Sequence, residues 1–90
     1  SLAKEIAKEQ ITCNAICPGF VDTDMAEDAI TGVMERMSVP RERALAMITS
    51  GNPMKRLIDP AEVAATALFL ASSGASSVNG HALSVSGGEL

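Results

Sequence analysis

The sequence predicts an α/β fold in which two parallel strands are joined through a helix. Residues 11–17 are mostly apolar and rich in β-branched side chains, and residues 82–85 alternate along the chain as a strand does. A strong helical pattern begins at Asp59, between these two segments. Two strands that are connected by a crossover helix are expected to be parallel, so the order of elements indicates a βαβ unit.

Three further segments have helical patterns. Residues 1–10 carry apolar side chains on one face and charged side chains on the other, and we interpret them as the end of a helix that starts upstream. Residues 24–37 and 41–50 are predicted to form two helices, with Pro40 at the first position of the second. This helical pair is an insertion between the first strand and the helix that begins at Asp59.

The helix at Asp59 has the strongest local start signal in the chain. Asp59 is predicted to be its N-cap, Pro60 its first helical residue, and the Glu62 carboxylate is predicted to reach back to a free backbone amide. The apolar pattern continues through Leu70, and Ser72-Ser73-Gly74 follows it. The sequence therefore predicts a crossover helix of about three turns.

The composition indicates that these 90 residues are part of a larger unit. Apolar residues make up 47% of the sequence, but aromatic residues only 2%. Two parallel strands cannot cover both of their faces or satisfy both of their edges alone. We therefore expect residues 1–90 to be one part of a single larger domain, in which neighbouring strands or another subunit cover the sheet.

Charge and cysteine content exclude several classes of function. The net charge of −4 and the pI of about 4.7 argue against a nucleic-acid or anionic membrane surface. No apolar stretch approaches the ~20 residues of a membrane span. Cys13 and Cys17 are predicted to be buried free thiols, and no metal site is predicted, since two thiols have no further ligand set around them. Free thiols are typical of a reducing compartment, so a cytoplasmic location is expected.

The order and spacing of several short motifs resemble those of the short-chain dehydrogenase/reductase family. One group resembles the region after the family's catalytic helix, and a second group resembles its last helix and strand. The first comprises Asn14-Ala15-Ile16, Pro18-Gly19, Val21 and Thr23-Asp24-Met25; the second comprises Arg56, Pro60, Glu62-Val63-Ala64, Phe69-Leu70-Ala71-Ser72, Gly80, Leu83, Val85 and Gly87-Gly88. The resemblance implies a Rossmann-type doubly wound parallel sheet, of which residues 1–90 would be the C-terminal part.

The resemblance also implies that this chain lacks the family's catalytic groups. Its glycine-rich dinucleotide turn, its catalytic serine and its Tyr-x-x-x-Lys pair are absent, and the sequence contains no tyrosine. These 90 residues are therefore expected to be inactive alone and to contribute no catalytic residue. Ser86 stands where the family usually has an aspartate, which changes a structural hydrogen bond more than the chemistry.

By the same resemblance, the segment after the first strand binds a nicotinamide cofactor. Pro18 and Gly19 follow the carboxyl end of a parallel strand, which is where open α/β sheets bind ligands, and Gly19 allows a close approach of the backbone. The Val21 backbone would bind the nicotinamide carboxamide, and the Thr23 hydroxyl would reach the carboxamide or the adjacent phosphate. The sequence leaves NAD and NADP both open.

The insertion at about residues 24–55 lies where this family has its substrate lid. It contains all five methionines, which suit a mobile apolar surface over a substrate but equally suit ordinary packing. Phe20 and Met25 are the residues that we assign to the substrate. Asn14 and His81 are interpreted as structural, because buried amides are nearly always satisfied within the fold and His81 has no catalytic partner pattern.

Three hypotheses of function remain open at this stage. The first is an NAD(P)-dependent oxidoreductase that interconverts a small alcohol and a ketone, with 3-oxoacyl thioester reduction favoured, and that forms a homodimer or homotetramer through residues 82–85 and the preceding helix. The second is a non-catalytic fragment or oligomerisation module that lacks the catalytic tyrosine and lysine. The third is an unrelated α+β binding module, which would require antiparallel strands.

Overall fold

A computed structural model of the protein describes residues 1–89. It contains four helices and two strands in the order α1, β1, α2, α3, α4, β2. The helices are α1 Leu2–Ile6, α2 Asp24–Met37, α3 Arg41–Ile48 and α4 Pro60–Leu70; the strands are β1 Ala15–Pro18 and β2 Ala82–Val85; short 3-10 turns occupy Ala7–Glu9 and Ser73–Ala75.

The two strands pair in parallel. Ala15 lies opposite Ala82 and Pro18 lies opposite Val85, so the pairing continues without a bulge over the length of both strands. Helix α4 packs against both strands, as a crossover helix does. The parallel pairing confirms the predicted βαβ unit and contradicts the α+β hypothesis with antiparallel strands. The bounds of β2 are those predicted.

Strand β1 is shorter than the predicted strand over residues 11–17. Upstream of Ala15, the Cys13 N–H donates a hydrogen bond of 2.9 Å to Oδ1 of Asn79, and the Cys13 carbonyl accepts one of 2.9 Å from the Gly80 N–H. A side-chain amide therefore occupies a position that a backbone carbonyl would hold in a regular sheet. The ladder begins only after this point, which the apolar pattern of residues 11–14 does not reveal.

Asn14 fixes the alignment of the two strands at their amino ends. Its Nδ2 donates to the Val78 carbonyl at 2.9 Å, and its Oδ1 accepts from the His81 N–H at 3.0 Å. The side chain thus satisfies one acceptor and one donor in the turn before β2. These bonds confirm the predicted structural role of Asn14.

Two of the predicted helices differ in extent from the observed ones, while α2 and α4 have the predicted bounds. The segment 1–10 is α-helical only to Ile6, and its 3-10 turn closes at Gln10, which has a φ of 63°. Helix α3 ends at Ile48 rather than Ser50. Pro40 is its N-cap, with extended backbone, instead of its first helical residue.

The start of α4 confirms one predicted cap and corrects another. Oδ1 of Asp59 accepts from the Ala61 N–H at 2.9 Å, and Pro60 is the first helical residue. The Glu62 carboxylate, however, pairs with the Arg56 guanidinium at 2.9 Å and does not reach back to the backbone. A cation within reach forms a charge-assisted bond that is stronger than one to a neutral amide, so the predicted capping box is wrong.

The buried apolar residues are few and small. Ile30 and Ile58 are the largest fully buried side chains among residues 1–89, and α4 contains no buried residue. Cys13 is half-buried and Cys17 is exposed, so the predicted burial of both thiols is wrong. The reason is that only α4 covers the two-stranded sheet within residues 1–89. In this part of the chain no helix is both long and apolar enough to cross a membrane.

Candidate functional site

A cleft of about 700 Å³ lies between the segment that follows β1 and the first two turns of α2. All six residues that the sequence assigns to cofactor or substrate lie in its wall. The lining residues are Pro18, Gly19, Phe20, Val21, Thr23, Met25, Ala26, Ala29 and Glu89. The structure therefore brings the predicted site together at the carboxyl end of the sheet, where ligands of open α/β folds bind.

Gly19 continues the pairing of the strands beyond β1. Its N–H donates to the Val85 carbonyl at 3.1 Å. A Cβ atom at Gly19 would lie only 3.3 Å from the Ser86 Cα, which is tighter than ordinary contacts. Packing against β2 therefore already requires a small residue here, in addition to any close approach of a ligand.

Val21 presents two backbone polar groups that the neighbouring segment does not use. The Ile58 N–H donates to the Phe20 carbonyl at 2.8 Å, and the Asp22 N–H donates to the Ile58 carbonyl at 2.8 Å. Because successive peptide groups of an extended segment point in opposite directions, the Val21 N–H and carbonyl face away from Ile58. Within residues 1–89 the Val21 N–H has no acceptor, and its carbonyl accepts only the Thr23 hydroxyl, at 3.3 Å.

This free donor and nearly free acceptor fit a primary carboxamide. Such a group offers one carbonyl acceptor and two N–H donors, and it can bond both groups of a single residue in an extended backbone. The bridge to Ile58 holds Val21 rigidly, since Ile58 is 1% exposed. The geometry is thus preorganised for an amide, and a ligand does not have to order the segment first.

Thr23 occupies the N-cap position of α2 without capping the helix. Its backbone is extended, and its hydroxyl makes no bond to the first turn. The single bond to the Val21 carbonyl is long for a hydroxyl donor, so the hydroxyl can exchange it for a ligand at small cost. Thr23 therefore adds one adaptable polar group beside the fixed pair at Val21.

The remaining wall of the cleft is apolar and open to solvent. Phe20 is 49% exposed and Met25 is 83% exposed, whereas Ala26 behind them is buried. Exposed large apolar side chains around a cleft are unusual unless a ligand or partner covers them. Phe20 and Met25, which the sequence assigns to the substrate, form exposed apolar surface of the cleft.

Asn52 is a structural residue of this region that the sequence did not reveal. It is 5% exposed, its Nδ2 donates to the Arg56 carbonyl at 2.9 Å, and its Oδ1 accepts from the Met54 N–H at 2.7 Å. A Cβ atom at Gly87 would overlap the Asn52 amide. The Asn52 side chain therefore packs closely against the turn after β2, while its hydrogen bonds stay within residues 52–56. The Gly51-Asn52-Pro53 turn is the only sequence signal that could have suggested it.

Glu89 is the second residue that sequence reasoning missed. It lines the cleft although it follows Val21 by 68 positions in the sequence. The parallel pairing of the strands brings it there, because β1 and β2 end at the same edge of the sheet. His81, in contrast, lies before β2, at the other end of that strand. Within residues 1–89 no cluster of His, Cys, Asp and Glu is arranged to hold a metal ion.

Comparison with known proteins identifies the family. A family model described as enoyl-(acyl carrier protein) reductase matches residues 1–89. The structure of a short-chain dehydrogenase family protein from Francisella tularensis superposes with a TM-score of 0.88 and 31% identity, covering 98% of this chain and 36% of that one. The chain belongs to the short-chain dehydrogenase/reductase family. The match confirms the resemblance and the α/β fold predicted from the sequence.

Two curated members of the short-chain dehydrogenase/reductase family show the extent of the similarity. The NADPH-dependent reductase BacG of Bacillus subtilis is 38% identical over 90 residues, which cover 100% of this chain and 35% of BacG. A 3-oxoacyl-(acyl-carrier-protein) reductase of Chlamydia trachomatis is 38% identical over 88 residues, which cover 98% of this chain and 31% of that protein. The chain therefore spans about a third of the length of these relatives.

Proposed function

We propose that residues 18–25 bind the nicotinamide of NAD(P)H in an oxidoreductase that interconverts a ketone and a secondary alcohol. The observation that carries this proposal is the outward-facing N–H and carbonyl of Val21, which the bridge to Ile58 holds in place. A bound nicotinamide supplies the hydride for such a reaction. The backbone of Val21 orients the carboxamide, so that one face of the ring is turned towards the substrate carbonyl.

A 3-oxoacyl thioester is the substrate class that the cleft supports best. Phe20 and Met25 offer exposed apolar surface on the solvent side, where an acyl chain would lie. The similarity to a 3-oxoacyl-(acyl-carrier-protein) reductase supports the same class. The name of BacG supports NADPH as the form of the cofactor to test first. Under this proposal α2 and α3, within residues 24–55, form the lid over the substrate.

The family resemblance implies that a tyrosine is the proton donor of the reaction, and residues 1–90 contain no tyrosine, so the donor would lie outside them. The proposal therefore concerns the intact gene product that contains residues 1–90. The competing hypothesis, a non-catalytic module, makes the opposite prediction for the same protein. An intact mass of 9.3 kDa with no turnover would favour that hypothesis.

We also propose that the protein is a homo-oligomer in which α4 and β2 contribute to a contact between copies. Leu68 is 73% exposed and Phe69 is 49% exposed, and both lie on a helix that is apolar from Val63 to Leu70 except for Thr66. A helix of this kind is normally buried on several sides. A cytoplasmic location stays an expectation from the free thiols.

The direct test of the activity is a steady-state assay on the intact gene product. NADPH and NADH are each offered with a 3-oxobutanoyl thioester and, separately, with a trans-2-enoyl thioester. We expect saturable oxidation of the nicotinamide with the 3-oxo compound, with one hydride and one proton added to the ketone for each cofactor oxidised. Turnover of the enoyl compound alone would contradict the ketone assignment, and failure of both nicotinamides to bind would contradict the whole proposal.

A further inference from the structure

The cleft contains a single charged side chain among residues 1–89, that of Glu89. Glycines flank this carboxylate on two sides. A Cβ atom at Gly51 would lie 2.7 Å from Oε2, and one at Gly19 would lie 3.7 Å from Oε1. A side chain at position 51 would therefore displace the carboxylate, whereas the distance at Gly19 is an ordinary contact that places the carboxylate beside the segment after β1.

The turn after β2 determines where Glu89 lies. The Ser86 hydroxyl donates to the Glu89 carbonyl at 2.8 Å, and the Glu89 N–H lies 3.4 Å from the Ser86 carbonyl. Gly87 and Gly88 have φ values of 66° and 97°, which allow the chain to fold back at this point. Ser86 stands where the family usually has an aspartate. An ionised aspartate at position 86 could not donate this hydrogen bond to the Glu89 carbonyl. The observed position of Glu89 therefore depends on the serine.

The Glu89 carboxylate has no partner that would neutralise it. Within residues 1–89 it forms no ion pair and accepts no hydrogen bond, since the ion pairs of this part of the chain join Arg41 to Glu27 and Arg56 to Glu62. Its charge therefore acts on whatever enters the cleft. An approaching anion is repelled, by a modest amount because Glu89 is exposed and solvent partly screens its charge.

From this geometry we propose that Glu89 is a specificity-determining residue that makes the cleft favour neutral 3-oxo esters and thioesters over free 3-oxo acids. The inference rests on the proposed ketone reduction and adds the chemical class that the site excludes. In a 3-oxo acid the carboxylate lies two carbons from the reacting ketone. When the ketone of such an acid lies near the nicotinamide at Val21, the carboxylate of the substrate therefore lies in the same cleft as the Glu89 carboxylate.

The test compares ethyl 3-oxobutanoate with 3-oxobutanoate as substrates of the intact gene product, at a fixed concentration of reduced nicotinamide. In the Glu89→Gln variant the kcat/KM for the acid should rise by about five- to tenfold relative to that for the ester, the size expected for one like charge at close range in a partly solvated cleft. The readout is the ratio of the two kcat/KM values, because a substitution in the wall of the cleft can alter both, whereas loss of the charge favours only the acid. Glu89→Lys should shift the ratio further in the same direction.

Glu9→Gln is the matched control, since Glu9 is exposed in the 3-10 turn after α1 and does not line the cleft. It removes the same charge and should leave the acid-to-ester ratio unchanged. A second measurement uses the unaltered protein: the preference for the ester should weaken as salt rises from about 10 mM to about 1 M, because the Debye length falls from about 30 Å to about 3 Å.

The possible outcomes separate this inference from the function on which it rests. Ketone reduction with an acid-to-ester ratio that neither Glu89→Gln nor salt alters overturns the role of Glu89 and leaves the proposed function intact. If Glu89→Gln does not fold, the salt series on the unaltered protein decides. If no ketone is reduced and no nicotinamide binds, the proposed function fails, and the role of Glu89 fails with it.

Discussion

At the scale of single residues, the proposed role of Val21 depends on its backbone groups. Its side chain is not distinctive, and another apolar residue could replace it without changing the N–H and carbonyl that face the cleft. What matters is the pairing of Phe20 and Asp22 with Ile58, which leaves the groups of the middle residue unused. The chemistry of this position is therefore a consequence of a tertiary contact with a residue 37 positions later.

Gly87 is the residue at which a small substitution should be most damaging. Gly87→Ala places a Cβ atom on the Asn52 amide and forces an alanine to a φ of 66°. We expect the free energy of unfolding of the intact protein to fall by about 2–4 kcal/mol, from the left-handed backbone and the overpacking together. Urea unfolding measures this loss.

Gly74→Ala is the control for this prediction. Its Cβ atom would meet only the Ser72 hydroxyl, at 3.7 Å, and its φ is not in the positive range. The stability should stay within about 0.5 kcal/mol of the unaltered protein, as is usual for surface substitutions. Equal effects of the two substitutions would contradict the close packing of Asn52 against Gly87.

At the scale of elements, α2 should contact the substrate only through its first turns. Met25 lies in the cleft, whereas Met37 is 56% exposed at the other end of the same helix. Met25→Ala should raise the KM for a long-chain 3-oxoacyl thioester by about three- to tenfold, since it removes apolar contact area of one side chain. A short-chain thioester should show a smaller change in KM.

Met37→Ala serves as the matched substitution on the same helix. It should leave the KM for both thioesters unchanged, because Met37 does not line the cleft. If Met25→Ala and Met37→Ala had the same effect, the methionines would be ordinary packing residues, and α2 would not act as a lid.

Helices and strands whose periodicity and flanking turns lie within the segment itself could be predicted from the sequence. Features that depend on a hydrogen bond to another segment could not. Helix α2 and strand β2 have the predicted bounds, because their periodicity and their flanking turns lie within the segments themselves. Strand β1 begins four residues late, since the bond at Cys13 goes to the side chain of Asn79. The Glu62 cap failed for a similar reason, which is a competing bond to Arg56.

The site followed the same rule. Its six predicted residues lie within the eight positions from Pro18 to Met25, so one short segment places them together in the wall of the cleft. Glu89 and Asn52 lie far along the chain and enter the region through the pairing of β1 with β2. Neither has a motif of its own, and only the topology identifies them.

At the scale of the whole molecule, α4 leaves two large apolar side chains exposed, Leu68 at 73% and Phe69 at 49%. In the intact protein, Leu68→Glu should reduce the oligomeric mass measured by light scattering, because a charge would be desolvated in the proposed contact between copies. Ser77→Glu, at an exposed polar position, should leave that mass unchanged. An unchanged mass in both variants would contradict a contact through α4.

The central claim is that the Val21 backbone binds the nicotinamide carboxamide, and amide hydrogen exchange of the intact protein with and without NADPH tests it most directly. The Val21 N–H has no acceptor within residues 1–89, so we predict that its exchange slows when NADPH binds. The Asp22 N–H, already bonded to the Ile58 carbonyl, is the internal control and should change much less. Saturable binding of NADPH with no added protection at Val21 would contradict the claim.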